Sequence, residues 1–154
     1  MNEPLVEQRL AERVVDAMMA RDAFSQWLGI KVLAVRPRHA SVAMTVRPEM
    51  VNGFGVSHGG IVYSLADSAL AFASNTHGLV TVSIENSITY PAPVRVGDEL
   101  VAEAEEESAT NRLGYFRVTV RRAGGEIVAL FRGTVYKTKT DYFAGDVAAD
   151  EGQK

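Results

Sequence analysis

Between His58 and His77 the chain carries one formally charged residue, Asp67. The stretch around it, Asn52 to Gly78, has two parts. Asn52-Gly53-Phe54-Gly55-Val56-Ser57-His58-Gly59-Gly60 is a glycine-rich loop that helical periodicity cannot absorb. The second part, after these glycines, is long, apolar and rich in alanine and leucine. It predicts a helix from Gly59 or Gly60 to Asn75 with Gly78 as its left-handed stop. A helix apolar on nearly every face is a buried helix. A lone carboxylate there is costly and its pKa is expected to rise, unless an arginine or backbone amide satisfies it. The run is long enough to cross a membrane, but Ser64, Asp67, Ser68, Ser74 and Asn75 argue against that.

The 154 residues suit one domain with a real core, and 47% hydrophobic with 23% charged residues is ordinary for a globular protein. A net charge of −3 argues against nucleic-acid partners. With no cysteine, disulfides, thiolate metal sites and cysteine nucleophiles are excluded, and the scattered histidines point to no metal site. Glu3, Glu7 and Glu12 break the basic-then-apolar order of a signal peptide, so the expected location is cytoplasmic.

Three segments are expected: an amphipathic helix over 1–21, one domain over 22–140 and a polar tail over 141–154. Val6, Leu10, Val14, Ala17 and Met18 recur at helical spacing. A short turn over Phe24–Leu28 presents Trp27 as a packing anchor. Ile30–Arg36 and Ala40–Arg47 read as a hairpin around Pro37, Arg38 and His39, with His39 and His77 as surface turn residues. Val80–Tyr90 reads as a strand with Val82, Ile84, Ile88 and Tyr90 on one side. Glu99–Glu107, Tyr115–Arg122 and Glu126–Lys137 complete an antiparallel meander. Glu103, Glu105 and Glu107 are set to face the arginines of the neighbouring strand. Strands too few for a sandwich must bury their apolar face on the central helix, which Ala66, Ala69, Ala71 and Ala73 keep thin.

This plan, with Met50-Val51-Asn52-Gly53 leading to His58-Gly59-Gly60, then Ser64-Leu65-Ala66-Asp67-Ser68, and Val128-Ala129-Leu130-Phe131-Arg132-Gly133, resembles the hotdog-fold acyl-CoA thioesterases, closest to their PaaI-type, phenylacetate-degradation branch. The resemblance covers about Ala23 to Lys137. It implies an α+β hotdog fold, an antiparallel sheet wrapped around one long helix. It also implies hydrolysis of an aryl- or hydroxyphenylacetyl-CoA thioester to acid and coenzyme A, with no cofactor. Gly59 and Gly60 open the helix, so their N–H groups lack intrahelical partners and carry the positive end of its dipole. By resemblance, the Gly59 N–H is the oxyanion donor. Asp67 lies roughly 10 Å further along the axis, beyond hydrogen-bond reach of the same carbonyl. A second helix is therefore required, which agrees with the family's homodimers with composite sites, here expected to pair into a dimer of dimers. Asp67 then acts as general base or as nucleophile.

The resemblance further assigns Ser83 to position the attacking water, since Ala71 occupies the place where other hotdog thioesterases carry Ser or Thr. It sets Asn52 and His58 to order the loop near the thioester sulfur. Gly60, Met50, Phe54, Tyr63 and Leu70 are candidates for the substrate pocket, and Arg112, with Arg36 or Arg38, for the coenzyme A phosphates. The alternatives are a medium-chain or broad-specificity thioesterase and a non-catalytic acyl-CoA-binding module. A hotdog dehydratase lacks support, because no histidine precedes a Phe-Pro-Gly turn. No membrane partner is expected.

Overall fold

The computed structural model describes residues 2–145, so the expectation for the far tail, residues 146–154, lies outside the described residues. Helix α1 (Glu3–Arg21) and the short α2 (Ala23–Leu28) lead into the hairpin β1 (Lys31–Arg36) and β2 (His39–Thr45). Next come a single 3₁₀ turn (Pro48–Met50), the central helix α3 (Gly59–Asn75) and the strands β3 (Leu79–Thr89), β4 (Glu99–Ala109), β5 (Leu113–Arg122) and β6 (Ile127–Asp141). All six strands form one antiparallel sheet in the order β1-β2-β4-β5-β6-β3. The sheet's two edges are therefore β1 and β3.

Helix α3 fills the concave face. It touches β2 to β6, and Val62, Leu65, Ala66, Ala69, Leu70, Phe72 and Ala73 are buried there against Val42, Leu100, Val118, Val120 and Phe131. Small alanines let the sheet approach closely, and Gly133 of β6 goes furthest. A Cβ on Gly133 would stand 2.4 Å from Leu70 Cδ2 and 2.8 Å from Asn86 Oδ1, so only glycine fits without displacing them. Leu70, expected to line a substrate pocket, is instead core packed on this glycine.

The helix ends in a clamp. Asn75 donates through Nδ2 to the Thr81 carbonyl (3.1 Å) and accepts from the Thr81 N–H (2.9 Å), while Gly78 turns left-handed at φ +88°. Strand β3 thus starts under direct control of the helix end. Helix α1 packs on β1 and α3 through Ala11, Val14 and Val15, whereas Val6 is half exposed.

Several expectations need correction. His39 is not a turn residue: it is a buried member of β2 with Nε2 2.8 Å from Glu103 Oε1. Trp27 is no buried anchor. Half of it is exposed, stacked on Phe24 and covered by the Arg47 guanidinium. Strand β6 runs to Asp141 rather than Lys137. The facing charges occur as Glu105 against Arg117, which are register partners.

Strand β3 departs most from the alternation read in sequence. Val82 and Ile84 are exposed, and Thr81 is buried. A bulge causes this: Ser83 pairs with Val135 and Glu85 with Thr134, so Ile84 is one residue too many. The extra residue shifts the pleat by one, and side chains before and after it exchange faces.

Candidate active site

The loop before α3 is held by its own backbone. Asn52 N–H donates to the Val56 carbonyl (2.8 Å), and Asn52 Oδ1 accepts from the Phe54 N–H (2.9 Å). Ser57 N–H donates to Val94, and His58 N–H to the Met50 carbonyl (2.8 Å). Asn52 therefore orders the loop. Phe54, expected in the pocket, projects from the loop tip at 93% exposure and is not among the residues lining the groove beside the helix start.

His58 is the N-cap of α3. Its Nδ1 accepts from the Gly60 N–H at 2.9 Å, which places the ring proton of neutral His58 on Nε2. This cap consumes one of the orphan donors of the helix start. It leaves the Gly59 N–H, for which no acceptor is found among the described residues. Tyr90 crosses the same turn and donates from its hydroxyl to the Gly59 carbonyl (2.7 Å). A Cβ at Gly59 would lie 3.1 Å from the Tyr90 oxygen, so glycine keeps this approach open. An open groove of ≈ 290 Å³ runs alongside, lined by Phe24, Met50, Val51, His58, Gly60 and Ile61 among others. Met50 and Gly60 thus border one groove.

Asp67 sits more than two turns further along the helix and is half-buried. Burial pushes its carboxyl above the ordinary range, a hydrogen bond from Asn86 partly offsets this, and the Asp22 carboxylate adds to the rise. Among the described residues no cation pairs with it. Within the described residues of this chain, neither an arginine nor a backbone amide satisfies it.

The side chain against Asp67 is one that sequence reasoning missed. Asn86 Nδ2 donates to Asp67 Oδ1 (3.2 Å) and to the Tyr63 hydroxyl (3.0 Å), and Asn86 Oδ1 accepts from the Ser83 hydroxyl (2.8 Å). Ser83 and Asn86 are three apart, and strict alternation would put them on opposite faces. The bulge at Ile84 brings them to one face. Ser83 therefore meets Asp67 through Asn86. Tyr63, half-buried with its ring edge-on to Phe131 (5.3 Å), belongs to this cluster rather than to the groove at the helix start.

The basic candidates lie elsewhere. Arg36 and Arg38 share a surface depression with Glu105, Glu106 and Glu107, which counters their charge. Arg112 is exposed in the β4–β5 turn, its side chain in no ion pair among the described residues. Among the described residues no group of His, Asp or Glu is placed to hold a metal ion, and no helix is long and apolar enough to cross a membrane.

A half-buried carboxylate and an unpaired amide at a helix start are parts for opening a carbonyl compound by water. The thioesterase superfamily matches residues 54–129. The acyl-coenzyme A thioesterase PaaI of Escherichia coli K12 is 36% identical over 121 residues, which span 79% of this chain and 86% of that one. Human acyl-coenzyme A thioesterase 13 is 30% identical over 125 residues, 79% of this chain and 89% of that one. The solved structure of the Escherichia coli PaaI protein from the phenylacetic acid degradation operon superposes with a TM-score of 0.85 at 33% identity, covering 87% of this chain and 97% of that one. The chain belongs to the thioesterase superfamily, in its hotdog fold and PaaI-type branch, and is a thioester hydrolase.

Proposed function

We propose that this enzyme hydrolyses acyl-coenzyme A thioesters to the free acid and coenzyme A, with aryl- or hydroxyphenylacetyl groups as the preferred acyl class and no resident cofactor. The names carried by the PaaI-type relatives support the substrate class. The observation that carries the mechanism is the separation of two groups on one helix. The Gly59 N–H is free at the start of α3, and Asp67 lies eight residues on, about 12 Å at 1.5 Å per residue. Neither reaches the other's carbonyl, so each completes a site with a second copy of the chain. The exposed edge strand β3, with Val82 and Ile84 uncovered, offers the surface for that pairing.

In this arrangement the thioester oxygen lies against the Gly59 N–H of one subunit, where the helix dipole stabilises developing negative charge. Asp67 of the other subunit takes a proton from water, whose oxygen adds to the carbonyl carbon. The C–S bond then breaks, and the coenzyme A thiolate is protonated as the acid leaves. Direct attack by Asp67, through an anhydride that water opens, uses the same geometry. Burial of Asp67 moves its pKa toward the working pH and makes it a better base. Asn52 and His58 hold the loop, Met50 and Gly60 border the acyl groove, and Arg112 is the cation assigned to the coenzyme A phosphates.

Thiol release from a panel of acyl-CoAs, read with a colour reagent, tests the activity. Saturable binding without thiol release would overturn it. Subunit mixing tests the composite site. Asp67→Asn and Gly59→Pro chains, unfolded and refolded together, regain about a quarter of wild-type turnover if a dimer of both holds one intact site. No recovery would place both groups in one chain's site.

A further inference from the structure

We propose that Asn86 is a positioning residue that orients Asp67 and makes Ser83 a pure acceptor toward the attacking water. The inference rests on the assignment of Asp67 as the reactive carboxylate and extends it to a side chain on a different element.

The orientation of the Asn86 amide is fixed by its three partners. An ionised carboxylate can only accept, so the group facing Asp67 Oδ1 must be the NH₂. The carbonyl end then faces Ser83, and a hydroxyl meeting a carbonyl oxygen can only donate. The second amide proton goes to the Tyr63 oxygen. All three directions agree.

The reacting groups are constrained in two ways. Asn86 occupies Asp67 Oδ1, which leaves Oδ2 for the water or the acyl carbon. Ser83 has one proton, and it is spent on Asn86. Ser83 can therefore offer a water only its lone pairs. A water held by Ser83 Oγ and Asp67 Oδ2 donates both of its protons, and both of its lone pairs are left free for attack. Without Asn86, Ser83 could donate to the water and tie up one of those lone pairs, which lowers its nucleophilicity.

The fold gives this amide a dedicated seat. The bulge at Ile84 turns Asn86 onto the face of Ser83, and its register partner Gly133 leaves room beneath it, with the amide oxygen 2.8 Å from where a Cβ would stand. Among the described residues, the titratable group acting on Asp67 is Asp22, from the α1–α2 junction, while the Tyr63 phenol on its own helix meets Asp67 only through Asn86. Asp22 is itself held by the Ser25 N–H (2.9 Å), and the Ser25 hydroxyl lies 2.8 Å from that of Ser68. Asn86 is the group that favours the ionised form of Asp67.

The test is the pH profile of kcat/KM for thioester hydrolysis by wild type, Asn86→Ala, Asn86→Asp, Gly133→Ala and Ser83→Ala, each checked for melting and assembly size. Loss of the donor moves the ascending limb to higher pH. Below the wild-type limb, Asn86→Ala loses about tenfold, the worth of one charge-assisted hydrogen bond, and recovers much of it on the alkaline plateau. Asn86→Asp keeps the shape, replaces the donor by an acceptor and moves the limb further. Gly133→Ala crowds the amide from beneath and moves the limb the same way. Ser83→Ala lowers the plateau with the limb in place. Folded Asn86→Ala and Asn86→Asp proteins whose limbs coincide with wild type overturn the proposal. Unchanged turnover and limb in Asp67→Asn instead overturn the reading of Asp67, whatever the Asn86 variants do.

Discussion

In the proposed mechanism the working group at the start of α3 is main chain. The Gly59 amide is left free because His58 has taken the Gly60 amide and Tyr90 holds the Gly59 carbonyl. At the middle of the same helix the proposed working group is a side chain held by other side chains: Asp67 by Asn86, and Asn86 by Ser83 and Tyr63. The first end is defined by where a helix begins, and any residue with an N–H at that place would supply the donor. The second is defined by residue identity and by the bulge that presents it. The difference teaches what mutation can reach. Side-chain replacement removes the carboxylate at once, whereas the amide yields only to a change in backbone chemistry.

The largest effect is expected at the side-chain end. Asp67→Ala lowers turnover by orders of magnitude while melting temperature and assembly size are kept, as read by thiol release, calorimetry and light scattering. At the main-chain end, Gly59→Pro deletes the N–H. Proline is well tolerated at the first helical position, and His58 at ψ 134° already suits a proline after it. Gly59→Ala adds the same Cβ beside Tyr90 and keeps the N–H. The ratio of the two kcat values isolates the donor and is expected to be about 10²–10³, or ~2.7–4 kcal/mol. Equal rates for the two variants would assign the oxyanion to another group.

Smaller effects sharpen the contrast. His58→Ala removes the cap and costs about 1 kcal/mol in urea unfolding, while His58→Asn, which keeps an acceptor, restores most of it. Asp67→Asn probes the cost of burying the acid. Burial raises the folded-state pKa of Asp67, so its favourable contribution is fully present below the unfolded pKa and is lost as pH rises through the folded one. The variant suffers no such loss, so its melting temperature gains on wild type as pH is raised across that window. A constant gap would mean that Asp67 is not perturbed.

The helix boundaries that frame the main-chain half were legible in the sequence. Helix start, glycine-led loop and stop are local events, governed by residues adjacent in the chain, and Gly59–Asn75 and Gly78 fell where capping and turn chemistry put them. Asp67 stood out because an isolated charge in an apolar run needs a reason. The side-chain half was less legible. A bulge is a count of two residues against one across a strand pair, and a single strand carries no record of its partner. Alternation alone therefore puts Val82 and Ile84 on the side of Ile88 and Tyr90, and nothing in it ties Asn86 to Asp67. The surroundings of Leu70 and Phe54 were illegible for a related reason. Both are large and apolar, and only packing distinguishes a side chain pressed on Gly133 from one standing free at a loop tip.

The Asn75 clamp has a mechanical consequence. Its amide makes with Thr81 the pair of hydrogen bonds that a neighbouring strand would make, and it does so from the last residue of α3. The helix that bears Gly59 and Asp67 and the strand that bears Ser83 and Asn86 are thereby joined without a slack linker. The β3 edge and the helix are therefore coupled, with Gly59 at the helix end far from the clamp and Asp67 at its midpoint.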